Sequence, residues 1–235
     1  MLSPDILQVR APAINFYVLR DASGLYLLDA GFIGGRWLLR RALRRRGWEG
    51  EPIRGIIVTH GHLDHILNVA VTARETGAWI AAPRIDGDHY SGRASYRGWA
   101  RVTGVLEGIG RPVLAFRSFV PDRWIDDGDF IDAWHGLRAV HLPGHTLGHM
   151  GYYCERLRLL FTADLFASYR DTPRFPPPIF NSAPELMRGS VEKALALDPA
   201  GVIPNHCDRS PTEVHLERLR RLKLHQVIPP KSTLG

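Results

Sequence analysis

Within the seven residues Thr59-His60-Gly61-His62-Leu63-Asp64-His65, four side chains can bind a metal: His60, His62, Asp64 and His65. The apolar run Arg54-Gly55-Ile56-Ile57-Val58 before them reads as a buried strand, and Ile66 to Thr76 after them reads as a helix. The donors therefore sit on a strand-to-helix turn, at the carboxyl end of a strand, where α/β proteins usually build their sites. His60 and His62, two apart, can point to one side as the chain leaves the strand. Asp64 and His65 follow in the first helical turn and face a neighbouring position, so one segment can serve two metals. A structural zinc site is closed and mostly cysteine-rich. Cys154 and Cys207 are the only cysteines here, which leaves a catalytic metal centre as the reading.

That site needs a scaffold, and 235 residues with 45% hydrophobic content can build one. Two cysteines give no disulfide framework, and no stretch of about 18 apolar residues occurs. We expect a cytoplasmic protein without a membrane segment, made of a single domain over residues 1–235; the sequence leaves its oligomeric state open. The formal charge of +6 raises nucleic acid as a partner. The basic clusters, Arg40-Arg41 with Arg44-Arg45-Arg46 and Arg218 with Arg220-Arg221, fall on amphipathic helical patterns. They read as solvated helix faces, and the expected partner is a small-molecule substrate.

Taken in order, Ala13 to Arg20 and Leu25 to Leu28 read as strands, followed by Asp29-Ala30-Gly31 and a helix from Arg36 to Arg46 that stops at Gly47. Trp79 to Ala82 is a strand halted by Pro83, and residues 84–110 read as a partly helical insertion, most helical from Trp99 to Ile109. Short strands are expected at Val113–Phe116, Phe130–Ile131, Leu137–Leu142, His149–Tyr153 and Leu157–Thr162. A proline-rich loop at 172–179 leads to a helix from Pro184 to Leu197, a strand over Gly201–Pro204 and a last helix from Pro211 to His225. Strands alternating with helices in each half predict two sheets with helices outside.

Two donors per metal are too few. His145 follows a strand and a Pro-Gly turn; Asp164 ends the apolar run Leu159-Leu160-Phe161-Thr162; His206 ends Val202-Ile203-Pro204-Asn205. A polar donor after an apolar strand, four times over with His60, is what a shared site at one edge of the sheets requires.

The run from Leu27-Leu28-Asp29-Ala30-Gly31 through Thr59–His65, Pro143-Gly144-His145-Thr146 and Phe161-Thr162-Ala163-Asp164 to His206 resembles the metallo-β-lactamase superfamily of metal-dependent hydrolases. The resemblance implies an αββα sandwich, two mixed β-sheets face to face with helices on the outer faces. It implies two divalent transition-metal ions, zinc first, with iron or manganese as alternatives suited to the same donors. His60, His62 and His145 would bind the first ion, Asp64, His65 and His206 the second, and Asp164 would bridge them. Asp29 resembles the family's aspartate behind the ligands, and His149 follows the family pattern in a similar supporting place. The implied reaction is attack by a metal-bridging hydroxide on an ester, thioester or lactone carbonyl, with Asp64 receiving the proton.

Within the superfamily, Asp164 speaks against zinc β-lactamases, whose second site lacks that bridging aspartate. Ile66-Leu67-Asn68 stands where glyoxalase II thioesterases usually carry two glycines, and the 29 residues after His206 are too few for their helical glutathione-binding domain. Lactone hydrolases place a tyrosine after the bridging aspartate; Tyr169 matches with a displacement of two and is the candidate catalytic donor to an oxyanion. Phosphodiesterase or nuclease activity and a mononuclear-iron sulfur dioxygenase-like reaction are the alternatives, the former favoured by Arg170 and Arg174 in the loop beside Tyr169. His141 reads as an outward strand residue, His89 and His135 as surface histidines, His215 and His225 as solvated, and Cys207 as a buried, inert thiol. Tyr90, Tyr96, Trp99, Phe166 and Tyr169 either line the pocket or fill the core.

Overall fold

Apolar residues on both faces of most strands require cover on both sides, and the chain supplies it with four layers. The structure, a computed structural model, describes residues 2–11, 14–170 and 172–225, with side chains to 222. The expected strand start at Ala13 and the side chain of His225 lie outside the described residues.

One sheet runs β1 (Ile6–Arg10), β2 (Asn15–Asp21), β3 (Gly24–Leu28), β4 (Ile53–Ile57), β5 (Trp79–Pro83) and β6 (Arg123–Ile125), in that spatial order. The first two pairings are antiparallel and the last three parallel. The second sheet contains β7 (Phe130–Ile131), β8 (Leu137–His141), β9 (Met150–Cys154), β10 (Leu159–Ala163) and β13 (Gly201–Pro204), ordered β13-β10-β9-β8-β7. A small hairpin, β11 (Ala167–Tyr169) with β12 (Thr172–Arg174), stands apart. The helices are α1 (Gly35–Arg46), α2 (Leu63–Ile66), α3 (Val69–Thr76), α4 (Gly87–Tyr90), α5 (Arg101–Val113), α6 (Met187–Ala196) and α7 (Thr212–His225).

Three apolar clusters account for the layering. Tyr17, Leu28 and Ile57 of the first sheet meet Tyr152, Phe161 and Ile203 of the second. The outer face of the first sheet, with Val18, Leu27 and Ile56, packs on Leu39 and Leu43 of α1 and Val69 of α3. The outer face of the second, with Tyr153, Leu160 and Val202, packs on Val191 of α6 and Leu216 and Leu219 of α7. This is the expected αββα sandwich of two mixed sheets.

Topology gathers the site. β10 pairs parallel to β13 and antiparallel to β9, which pairs antiparallel to β8. β8, β10 and β13 therefore run the same way, as β3 and β4 do, and their carboxyl ends collect at one edge of the sandwich. There the sheets are bonded together: the Met150 N–H donates to Thr59 O at 2.9 Å and the Tyr152 hydroxyl to Val58 O at 2.6 Å.

Some elements differ from the sequence reading. Val113–Phe116 is no strand: α5 runs to Val113 and the chain turns through Ala115 at φ 53°. Hydrophobic, β-branched composition misled there, because the helix pattern from residue 101 continues through Pro112. β1 and β6 were not anticipated, and the proline-rich stretch contributes β12, paired with β11.

Candidate metal centre

Each donor is carried past the end of a strand by the turn that follows it. The ligand atoms of His60, His62 and His145 lie within 4.8 Å of one another, as do those of His60, His65 and Asp164, and those of Asp64, His65 and His206. His62 Nδ1 and His145 Nε2 face each other at 2.9 Å. Asp164 Oδ2 lies 2.9 Å from His206 Nε2, 3.3 Å from His65 Nε2 and 3.4 Å from His145 Nε2, so one carboxylate reaches both groups. His60, His62, His65, His145 and Asp164 are buried, and Asp64 and His206 are partly open.

The fit to metal ions rests on atoms left over. His60 Nε2, His62 Nε2, His65 Nε2 and Asp164 Oδ1 are buried without a hydrogen-bond partner among the described residues. Buried polar atoms are rarely left so. Two of these histidines are also held by their other ring nitrogen: His60 Nδ1 lies 3.0 Å from Thr59 Oγ1 and His65 Nδ1 2.7 Å from Asp29 Oδ2. A ligand histidine is typically oriented in this way. An imidazole and carboxylate donor set without thiolate suits zinc, iron or manganese.

The supporting residues fix the donors. Asp29, at φ 64°, accepts the Thr59 N–H and the Thr59 hydroxyl at 2.8 Å and the Asn205 side-chain amide at 2.8 Å besides contacting His65. It thereby joins the ends of β3, β4 and β13. His149 donates from Nδ1 to Leu142 O at 2.9 Å and accepts the Asp164 N–H at Nε2, 3.1 Å away. Both bonds require neutral imidazole, and burial pushes its pKa down to about 4. His145 Nδ1 lies 3.1 Å from Asn181 Oδ1.

Electrostatics divides the donors into two groups. Burial, reinforced by neighbouring histidines, lowers His60 and His62, and burial takes His145 down to about 3. Burial also opposes charge on His65 and His206, yet the carboxylates, Asp164 foremost, raise both. Burial raises Asp64, with Asp164 adding to the effect; burial opposes ionisation of Asp164 too, but His206 and His65 hold it well below the usual carboxylate range. The first three histidines are ready as neutral ligands. The second group keeps protons that an ion would displace.

The family model described as Metallo-beta-lactamase superfamily matches residues 9–206. The chain belongs to the metallo-beta-lactamase superfamily. It is 30% identical over 196 residues to a hydroxyacylglutathione hydrolase of Aeromonas hydrophila, covering 80% of this chain and 60% of that one. The chain spans 38–60% of the length of eight hydroxyacylglutathione hydrolases to which it is similar. Its fold is similar to that of a metallo-beta-lactamase family protein from Thermus thermophilus, with TM-score 0.73 and 20% identity over 96% of this chain and 80% of that one. A protein solved in a di-iron-bound form is also similar, with TM-score 0.64 and 21% identity over 90% of this chain and 96% of that one.

In this superfamily member the candidate donors form the floor of a cleft of about 490 Å³ that His62, Asp64, His145, Asp164 and His206 line. Its walls include Phe32, Leu106, Leu114, Pro176 and Phe180. Tyr169 lines it too, 44% exposed. Arg170 and Arg174 do not, and no arginine or lysine does among the described residues. The Arg170 N–H is used at Asp208 Oδ2, and Arg174 lies over a separate hollow beside Arg188. Neither loop arginine, read as suiting a carboxylate or phosphate, lines the cleft.

Two acids of the insertion escaped the sequence reading. Asp86, buried, accepts the Gly61 N–H at 2.9 Å, the Thr146 hydroxyl at 2.6 Å and the Gly148 N–H at 2.8 Å, clamping the His60–His65 turn to the His145 loop. Gly148 is fixed by this approach, since a Cβ there would meet Asp86 Oδ1 at 2.6 Å. Glu107 accepts the Leu63 N–H at 2.9 Å at the start of α2, and the Tyr96 hydroxyl at 2.8 Å. The only advance signal was an acid just past a strand end for Asp86; for Glu107, on the polar face of its helix, there was none.

Several side chains differ from expectation. His89 is not a surface histidine: it packs against Gly61, where a Cβ would meet its Cβ at 2.3 Å, and its Nδ1 lies 3.3 Å from the Tyr96 hydroxyl. His215 is buried rather than solvated, 2.7 Å from Ser168 Oγ, and burial takes it down to about 4. Arg218, expected on a solvated face, is buried and pairs with Asp208 at 3.1 Å. His135 is half-buried, 2.9 Å from Asp5 Oδ2, whereas His141 is the expected strand residue, ending β8 with its Nε2 donating to Leu147 O at 2.7 Å. α-Helical faces bury polar residues wherever a partner waits, which sequence periodicity does not reveal. Among the aromatics, Tyr90 and Phe166 are core, Tyr96 stacks at 6.2 Å on His62, and Trp99 is on the surface. Cys207 is buried against Tyr17 and Pro204 O.

Proposed function

We propose that the chain is a dinuclear metal-dependent hydrolase of uncharged esters, thioesters or lactones, working as one domain over residues 1–235. The observation that carries this reading is Asp164 Oδ2, in reach of donors of both groups at the floor of a cleft with apolar walls and no lysine or arginine among its described lining residues. His60, His62 and His145 would hold one ion, Asp64, His65 and His206 the other, with Asp164 between them. Bound there, zinc, or iron or manganese in its place, supplies Lewis acidity and lowers the pKa of water towards about 7. The similar fold solved with di-iron supports a pair of ions.

The chain's own residues do the rest. Asp64, partly open to the cleft, receives the proton released as water attacks. Tyr169 faces the cleft from the hairpin after Asp164 and donates its hydroxyl to the oxygen that becomes negative. Phe32, Leu106, Leu114 and Phe180 take up an apolar acyl group and exclude water. The hydroxyacylglutathione hydrolases among the relatives support thioester chemistry. No lysine or arginine among the described residues lines this cleft to pair with glutathione's carboxylates, which favours an uncharged substrate. Buried, unpaired Cys154 and Cys207 agree with a cytoplasmic location.

The test is a panel of p-nitrophenyl esters, acyl thioesters, lactones and bis-p-nitrophenyl phosphate with metal-loaded protein. Turnover of the carbonyl compounds supports the reading; activity confined to the phosphodiester rejects it in favour of the phosphodiesterase alternative.

A further inference from the structure

Helix α5 is mounted with its apolar face outward. Val102, Val105, Leu106, Ile109 and Val113 recur at helical spacing and form one stripe. Such a stripe ordinarily faces the core. Here Val105 and Ile109 are each 62% exposed and Val113 75%, with Trp99 at 75% just before the helix. The opposite face, held by polar bonds, faces the body of the protein. The Thr103 hydroxyl donates to Ile179 O at 2.5 Å, and Glu107 accepts the Leu63 N–H and pairs with Arg111 at 2.7 Å. A contiguous exposed apolar surface of this kind marks an interaction site.

The charge around it selects the partner. Arg93, Arg97, Arg101 and Arg117 are exposed, and none has an ion pair among the described residues. Glu107 is the only acid between residues 93 and 117, and it is buried and paired. A second copy docking by this face across a two-fold axis would set one group of arginines against the other. An anionic lipid surface accepts both features: acyl boundary for the stripe and Trp99, phosphate for the guanidinium groups. No described helix is long and apolar enough to cross a membrane, so the contact is peripheral.

We infer that α5 and the arginines flanking it dock the protein on an anionic lipid bilayer. Leu106 belongs both to the stripe and to the cleft wall, so docking brings the cleft mouth to the lipid. Delivery of a membrane-dissolved acyl substrate rests on the hydrolase reading; the docking itself does not.

The test is sedimentation of the full chain with phosphatidylcholine vesicles, with and without about 30% phosphatidylglycerol, read without any activity. Binding is expected on the anionic vesicles, at least about tenfold weaker on the neutral ones, and weakened as salt rises to about 0.5 M. The pair Val105→Ser with Ile109→Ser, and separately Arg97→Gln with Arg101→Gln, should each reduce it about tenfold with an unchanged melting curve. Absence of binding to anionic vesicles, or binding indifferent to both pairs, overturns the inference. A dimer dissolved by Val105→Ser with Ile109→Ser, without vesicle binding, assigns the face to self-association instead.

Discussion

Replacing Asp86 with alanine should loosen the metal centre from behind, without removing a ligand. The carboxylate accepts three hydrogen bonds, from the Gly61 N–H, the Thr146 hydroxyl and the Gly148 N–H, and all three donors are buried. A hydrogen bond to a charged group contributes about 1.5–3 kcal/mol. Three sharing one carboxylate are coupled and do not add fully, so the expected loss of folding stability is about 3–5 kcal/mol. The same change frees the turn bearing His60 and His62 from the loop bearing His145, and metal affinity should fall about 10–100-fold, as for other residues that orient ligands. Urea unfolding of the metal-free protein reads the first quantity and chelator competition the second. Asp86→Asn, whose amide oxygen still accepts but whose NH₂ turns towards a donor, should fall between. An alanine variant within about 0.5 kcal/mol of wild type, with unchanged metal affinity, would refute the clamp.

Tyr169→Phe should lower kcat on esters by about 10²-fold with KM little changed; an unchanged kcat removes Tyr169 from the chemistry. Metal uptake should release about one to two protons per chain near neutral pH, because the raised His65 and His206 must lose protons to become ligands. Affinity should therefore rise with pH up to those raised pKa values and then level, which calorimetry in two buffers of different ionisation enthalpy checks; uptake without proton release would contradict the assigned charges. The exposed arginines of α1 should give only weak nucleic-acid binding that vanishes near about 150 mM salt, measured by fluorescence anisotropy; saturable sub-micromolar binding there would revive the nuclease alternative.

The site was legible where a donor follows an apolar strand. His60, His145, Asp164 and His206 all have this form, and parallel strand directions turn that local pattern into one edge. The residues behind them were legible only where a motif carried them, as for Asp29. Asp86 and Glu107 lie in the insertion, whose mixed composition has no single period, and their partners are backbone N–H groups that sequence does not display. The same stretch hid the outward mounting of α5. An amphipathic pattern gives the angle between two faces, and only the polar anchors Thr103 and Glu107 decide which face turns inward. His215 and Arg218 were misplaced for a related reason, since each is buried by a specific partner, Ser168 and Asp208, brought close by the fold.

We propose that one edge of the sandwich holds two metal ions served jointly by Asp164. Elemental analysis of protein reconstituted with zinc and freed of excess metal addresses it most directly, comparing wild type with Asp164→Asn. About two ions per wild-type chain are expected, with at least one lost in the variant because a single carboxylate serves both groups. A wild-type chain that retains no metal and still hydrolyses its substrate at full rate would rule out the shared metal site.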